Sequence, residues 1–480
     1  MNTTKHVSGL NLQEEIEEGQ GIKCSITRRS FVKGTVLLAG AAVGGSLLSI
    51  PKALAGKPPV PPIRNPLYVP PTVSPSGLIL TEAPATVDVG GGRLASAWAY
   101  NGSLPGPTIR ASTGTRSTIT LVNGLPQETI THWHGMLVDT PNDGQPPQAI
   151  PPGGTYPYDF TINQRAAMNW YHPHPHLHTG EQVAMGLAGA FIVNDNIEGA
   201  LGLPSGGYEV PLVVRDVSFD NAGNIKFNSG GGNNPMVNGT LNPYLDVDPA
   251  LYRFRVLTGA QNRIFGLALS NGAPFTLIGN DGGLLATSVQ YPQIDLAPGE
   301  RADIIINFSG LPGGSLMLKD LRTGWDLLEF RVRNIAPITG TIPTNLSTIE
   351  TLIDPGVVTR TFKFEGMGKI NGQEYVANRI DFTVPFGVVE RWRFTTKGAA
   401  PHPVHIHGAS FQVLSRTGGR GRLFPWEQGW KDTVLLDDGE TVDILIRFDA
   451  FMGDYLIHCH RLEHEDNGMM STFRVIPPPP

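Results

Sequence analysis

The stretch from Pro298 to Phe308 reads PGERADIIINF: a glycine turn, then a strand of alternating character, closed by an aromatic ring. A β-rich run entered through a tight turn is the signature of a half-buried strand. The same form returns 140 residues downstream as DGETVDILIRF, Asp438 to Phe448, and 146 residues upstream as PGGTYPYDF, Pro152 to Phe160. A second echo, an Asn-Gly turn leading into a β-rich stretch, falls at Asn101, Asn238 and Asn371, at intervals of 137 and 133 residues. Self-similarity at a fixed period means a repeated structural unit. Around these echoes short β-branched runs alternate with turns, and long helical periodicity is absent. The 58 glycines and 41 prolines of the 480 residues supply those turns. The pattern predicts an all-β chain of three β-sandwich domains, over residues 72–197, 198–340 and 341–480.

The first 55 residues read as an address. Thr27 to Lys33, TRRSFVK, precede a Gly- and Ala-rich apolar run from Gly34 to Ile50 and the small-residue site Ala53-Leu54-Ala55. That is a signal peptide with the twin arginine, Arg28 and Arg29, of the Tat pathway. The apolar run is short and dilute in Leu and Ile for a membrane anchor. Cleavage after Ala55, then a Pro-rich linker from Gly56 to Pro71, predicts a protein exported folded by the Tat machinery to the periplasm or beyond, with no membrane span after processing. It also removes Cys24 and leaves Cys459 as the only thiol, which excludes a disulfide framework. A lone thiol in an oxidising compartment needs a purpose, such as a metal. The formal charge of −6, with Lys and Arg scattered, gives no basic stripe for nucleic acid.

Of 13 histidines, His6 lies in the leader and the other twelve fall in four clusters. These are His132 and His134; His172, His174, His176 and His178; His402, His405 and His407; and His458, His460 and His464 around Cys459. Residues 200–340 contain none. One histidine alone is an ordinary core or surface residue; twelve confined to the first and last units are a ligand set. Imidazoles with one thiolate suit copper, whereas structural zinc takes four ligands in one tetrahedral set. Alternate residues of a strand face the same side. His132 with His134, and His405 with His407, therefore grip one cluster, while His458 and His460 face away from Cys459. One strand ties a thiolate site to a separate imidazole cluster. Cys459, His464 and His402 supply a His₂Cys set, and Met469 offers a weak axial ligand. By strand parity alone, His176 and His178 stay open as further ligands.

The ordered motifs HWHG (His132 to Gly135), WYHPH (Trp170 to His174), HPVHIHG (His402 to Gly408) and HCHRLEHEDNGMM (His458 to Met470) closely resemble the three-domain multicopper oxidases, the family of bacterial laccases and periplasmic cuprous oxidases. The similarity extends through TGEQVAMGLAG (Thr179 to Gly189) and WKDTV (Trp430 to Val434), over essentially the whole mature chain. The resemblance implies three cupredoxin-like Greek-key sandwiches and four copper ions. Type 1 copper would sit on His402, Cys459, His464 and axial Met469. Type 2 would sit on His132 and His405, and the type 3 pair on His134, His172, His174, His407, His458 and His460. The cluster would lie between domains one and three, with the middle domain a spacer. His176 and His178 match no ligand position. Asp143 and Glu465 stand where the family places proton-handling carboxylates.

The implied activity is laccase-like: one-electron oxidation of a phenol, an aromatic amine or a low-valent metal ion, coupled to reduction of dioxygen to water by a monomer. Alternatives are a dedicated cuprous or other metal-ion oxidase, a copper-free exported assembly factor of the same fold, and a simple electron carrier. The cuprous-oxidase relatives carry a Met-rich insertion in the third domain; here Ile335 to Gly372 holds only Met367. Replacing Arg28 and Arg29 together with lysine should strand the precursor inside the cell, as cell fractionation with an antibody would show; normal secretion of the double variant would refute the twin-arginine reading.

Overall fold

The computed structural model of the chain describes residues 63–396, 398 and 400–478, so the twin-arginine leader and the first part of the linker lie outside the described residues. The described elements are nearly all strands, in six sheets that pair face to face around three main apolar cores. The spatial order of strands departs from chain order in every sheet, as Greek-key crossovers require. No helix among the described residues is long and apolar enough to cross a membrane.

The repeat is visible strand by strand. In the first unit Ser76–Asp88 runs parallel to Arg116–Asn123, which pairs antiparallel with Thr155–Thr161. In the second, Glu209–Phe219, Leu251–Thr258 and Arg301–Asn307 stand in the same relation. In the third it is Arg360–Glu365, Val389–Thr395 and Thr441–Arg447. The last strand of each trio carries the turn-then-strand echo. The Asn-Gly echo is equally literal: Asn101, Asn238 and Asn371 have φ of 49, 46 and 53°, each followed by a glycine at positive φ, as a tight hairpin turn of the I′ kind demands. Each Asn amide then stitches the turn to the first strand of its unit. Asn101 accepts from Thr81 N and donates to Ile79 O at 2.7 and 2.9 Å; Asn238 does so with Val213 and Pro211 at 2.7 and 2.9 Å, and Asn371 with Lys363 and Thr361 at 2.7 and 3.0 Å.

Two boundaries are softer than the sequence suggested. Asn65–Pro66, within the linker stretch, adds a parallel edge strand to the middle sandwich beside Pro243 and Tyr244. After residue 341 the chain still packs on the middle sandwich, where Leu346 joins its core, before the third begins at Arg360–Glu365.

Two of the ligand-bearing strands are more deeply buried than the echo strand of the first unit and the middle strand of the trio in the third. Thr155–Thr161 and Val389–Thr395 alternate buried with more accessible positions, but Thr131–His134 and His402–Ile406 are buried at every position. One face enters the unit's own core through Trp133, or through Val404 and Ile406. The other meets the neighbouring sandwich, and His132, His134 and His405 sit on it, while His402 shares the face of Val404.

Asn238 is fully buried, whereas Asn101 and Asn371 are exposed. Asn238→Ala strips a buried amide and carbonyl of partners and forces alanine to positive φ, at a cost of about 3 kcal/mol. Calorimetric unfolding should rank Asn238→Ala well below Asn371→Ala, and equal losses would refute this account of the turn.

Candidate metal centre

Two aspartates, each on a turn beside a ligand strand, organise the histidine cluster. Asp143 ends the single-turn helix Thr140–Asp143, which Gly144 terminates in the left-handed region at φ 72°; a side chain there would collide with the Thr131 carbonyl, 1.9 Å from the Cβ position. The Asp143 carbonyl accepts from His132 Nδ1 at 2.6 Å, and its carboxylate accepts from His407 Nδ1 at 2.8 Å. Asp432 does the same in mirror fashion: its carbonyl accepts from His405 Nδ1 at 2.8 Å and its carboxylate from His134 Nε2 at 3.0 Å. Rings from opposite sandwiches then stack, His132 on His407 at 3.8 Å and His134 on His405 at 3.7 Å between centroids.

The hydrogen bonds made behind the rings leave their other nitrogens free. The Nε2 atoms of His132 and His405 are buried without a partner, as are His172 Nε2, His134 Nδ1 and both nitrogens of His460. His458 Nε2 lies 3.4 Å from His174 Nε2 and 3.2 Å from His407 Nε2. Ligand-capable atoms converge in separate nests: His134, His172 and His460; His174, His407 and His458; and His132 with His405 and His407. Burial, then repulsion between neighbouring rings, holds His132, His134, His405, His407 and His460 far below the usual imidazole range. Neutral rings with unpaired, inward-facing nitrogens are what an imidazole-bound metal requires.

A further nest lies on the far side of the Gly453–Cys459 strand. Cys459 Sγ is 3.4 Å from His402 Nδ1 and 3.6 Å from His464 Nδ1, and the two nitrogens are 3.1 Å apart. Met469 is buried in the same core as Cys459. Burial pushes the Cys459 thiol up to about 12, so a cation must displace its proton. One soft sulfur and two imidazoles in a trigonal array fit copper better than a hard cation.

Comparison with known proteins agrees with this chemistry. Two family models described as multicopper oxidase match residues 83–198 and 342–479. A multicopper oxidase of Staphylococcus haemolyticus is 36% identical over 389 residues, covering 78% of this chain and 83% of the relative. The chain belongs to the multicopper oxidases. The crystal structure of the McoA multicopper oxidase from Aquifex aeolicus superposes with a TM-score of 0.81 at 33% identity, covering 86% of this chain and 99% of that one. A cell division protein, FtsP of Shigella dysenteriae, is 30% identical over 485 residues, covering 95% of this chain and all of the relative.

In this multicopper oxidase both carboxylates singled out from sequence are buried at the cluster rather than on a solvated turn or loop. Glu465, on the helix Leu462–Asp466, approaches His458 Nδ1 at 3.1 Å and His174 Nδ1 at 3.5 Å. Burial raises Glu465, but the imidazoles of His174 and His458 outweigh it and hold the group down to about 2. For Asp143 burial wins, pushing the carboxyl up to about 7 against the Gln145 hydrogen bond and the imidazoles of His174 and His458.

The structure decides one point that the sequence left open and departs from the sequence reading at another. His176 and His178 join none of the ligand nests among the described residues. Strand parity fails for them because the strand ends at Pro173; Leu177 takes φ 72° and the helix Thr179–Met185 follows. His176 instead packs edge-on against Tyr375. The middle domain, in turn, is more than a spacer. Gly299, at φ 85°, lies so close to His134 and His460 that a Cβ there would stand 3.0 and 3.1 Å from their rings. Arg301 donates to the Asp432 carboxylate through Nη1 at 2.7 Å, and to the carbonyls of Met168, Gly299 and Asp281. Lys431, Asp281 and Glu300 complete a buried ion cluster behind it. Apart from Asp281, these charged residues lie in two stretches marked in the sequence, PGERADIIINF and WKDTV, neither of which reveals their contacts.

A cavity of about 260 Å³ is lined by residues of all three sandwiches, among them Asn169, Asp281 and Trp430, and by Gly135 and Gly408, which directly follow His134 and His407. Arg301→Met would leave Asp432 buried and unpaired and release His134. Loss of such a supporting contact typically weakens metal binding about 10- to 100-fold. Chelator competition should show that loss at the histidine cluster while the absorption of the Cys459 site persists; unchanged retention would make Arg301 merely structural.

Proposed function

We propose that this protein takes single electrons from a reducing substrate at the Cys459 site and delivers them in fours to dioxygen at the histidine cluster, with four copper ions in all. In this reading His402, Cys459, His464 and Met469 hold type 1 copper, and His132 with His405 hold type 2. His134, His172 and His460 hold one type 3 ion and His174, His407 and His458 the other. Copper bound so supplies one-electron exchange at the thiolate and multi-electron reduction of dioxygen at the cluster.

The observation that carries the reading is the parity of His458-Cys459-His460. The thiol enters one nest while the imidazoles on either side enter the others, so a few covalent bonds link electron entry to oxygen reduction. His132, His134, His172, His405 and His407 are held by hydrogen bonds behind their rings. Reduction of one dioxygen to two waters takes four electrons and four protons. With a phenol as reductant, four O–H groups supply both and four phenoxyl radicals leave. Glu465 and Asp143 stand behind His174, His458 and His407, where a carboxyl can pass protons inward by general acid catalysis.

The complete ligand set argues against the copper-free assembly role that kinship with a cell division protein raises, and the imidazole nests argue against a simple electron carrier. A lone Met367 between Ile335 and Gly372 gives no methionine relay for Cu(I). Export by the Tat route to the periplasm or medium, as a monomer, completes the proposal.

Glu465→Gln keeps the shape and removes a carboxylate that can take up a proton and pass it on. In anaerobic and aerobic stopped-flow runs, reduction of the blue band should be nearly unchanged while reoxidation by dioxygen slows about 10²- to 10⁴-fold. Unchanged reoxidation, or slowing of type 1 reduction alone, would remove Glu465 from the proton path. Failure of the copper-loaded wild type to consume dioxygen would sink the oxidase reading.

A further inference from the structure

A second opening lies over the Cys459 site. It is a cavity of about 320 Å³ whose lining includes Asp216, Asn262, Arg263 and Arg322 of the middle sandwich, and Pro401 and Arg461 of the third. Pro401 directly precedes His402, and the backbone N–H of Arg461 donates to Cys459 Sγ at 3.4 Å. Its volume suits a single substituted aromatic ring. A reductant seated there is in reach of the thiolate nest without touching the oxygen cluster.

The charges of this opening do not balance. Three guanidiniums line it against one carboxylate, Asp216. Asp216 is already engaged by Arg263 Nε at 2.9 Å and by the Gly232 amide at 2.7 Å, and Arg322 is held by Asp295 at 2.9 Å. Glu463, near by on the third sandwich, accepts from Asn262 at 3.2 Å. The Arg461 side chain makes no ion pair and no hydrogen bond among the described residues, and its Nε is buried without a partner. Leaving a partly buried cation unpaired is costly. An anionic ligand would remove that cost, with Arg461 free to grip a carboxylate through two parallel N–H groups. Arg263, stacked over Trp325 at 4.5 Å, adds a flat wall.

We propose that this cavity is the reductant site and that Arg461 makes it select aromatic reductants bearing a carboxylate or sulfonate, and disfavour metal cations. The proposal rests on the oxidase reading above and supplies its substrate class. Each anionic phenol gives up one electron to the Cys459 site and its phenolic proton to solvent, and leaves as a phenoxyl radical with its carboxylate intact. Four turnovers match one dioxygen and two waters.

The test uses a matched pair, 4-hydroxy-3,5-dimethoxybenzoate and its neutral methyl ester, as reductants of the copper-loaded protein. The ratio of their kcat/KM values should fall about tenfold in Arg461→Gln, the loss of one charged hydrogen-bonding partner, and recover most of that in Arg461→Lys. Calorimetric titration with 3,4,5-trimethoxybenzoate, which has no phenolic proton to lose, should weaken by a similar factor in Arg461→Gln. Arg461 also stands close to the copper ligands, so a change of potential would move both reductants by one factor. That outcome, or an unchanged ratio, overturns the proposal. Should neither phenol be oxidised, the oxidase reading fails on its own, and the titration still decides whether Arg461 binds the anion.

Discussion

The cluster depends on two aspartates that each hold one histidine by a backbone carbonyl and another, from the opposite sandwich, by a carboxylate. That arrangement fixes which ring nitrogen keeps its proton, turns the free nitrogens inward and clamps the first sandwich to the third. The braces look alike because the first and third units descend from one pattern, HxHG followed by or facing an aspartate. Electrically they differ. Asp432 lies against the guanidinium of Arg301. Asp143 has no guanidinium in the same place: the Gln145 amide and the His407 imidazole face it, and burial pushes it up to about 7. One brace is backed by a guanidinium, and the other is a buried carboxyl without one. Glu465 stands on the Asp143 side, behind His174 and His458.

Much of this was legible in the sequence because strand geometry is simple. A period of two places His132 with His134, sets His405 with His407, and separates Cys459 from the histidines beside it, and the glycine turns at Gly153, Gly299 and Gly439 mark the same strand in each unit. The Asn-Gly echoes needed no more than the rarity of positive φ outside glycine and asparagine. What parity could not show is where a strand stops. His176 and His178 follow the same spacing as His172 and His174, but the strand ends at Pro173 and the turn at residues 176–178 takes them elsewhere. Nor does spacing reveal partners more than a hundred residues away. Arg301 serves His134 through Asp432, and in a linear reading Arg301 is one more charge in an alternating strand.

The middle sandwich makes this plain. A domain without ligands invites the name of spacer, yet its echo strand begins at the cluster: Gly299 leaves room for the rings of His134 and His460, and Arg301 neutralises the aspartate that holds His134. The absence of a side chain at Gly299 is as specific a contribution as a ligand, because any Cβ there would press on two rings at once.

At its other end the same domain frames the Cys459 site. Leu462 N donates to the Gln261 carbonyl at 3.0 Å and Asn262 reaches Glu463, which fixes the helix that carries His464 and Glu465. A middle domain bound to both ends of that path constrains the separation of its two sites more tightly than the backbone of Cys459 alone. Histidines are missing from it because its task is done with hydrogen bonds and fixed charge, which hold neighbouring ligands without competing with them for metal.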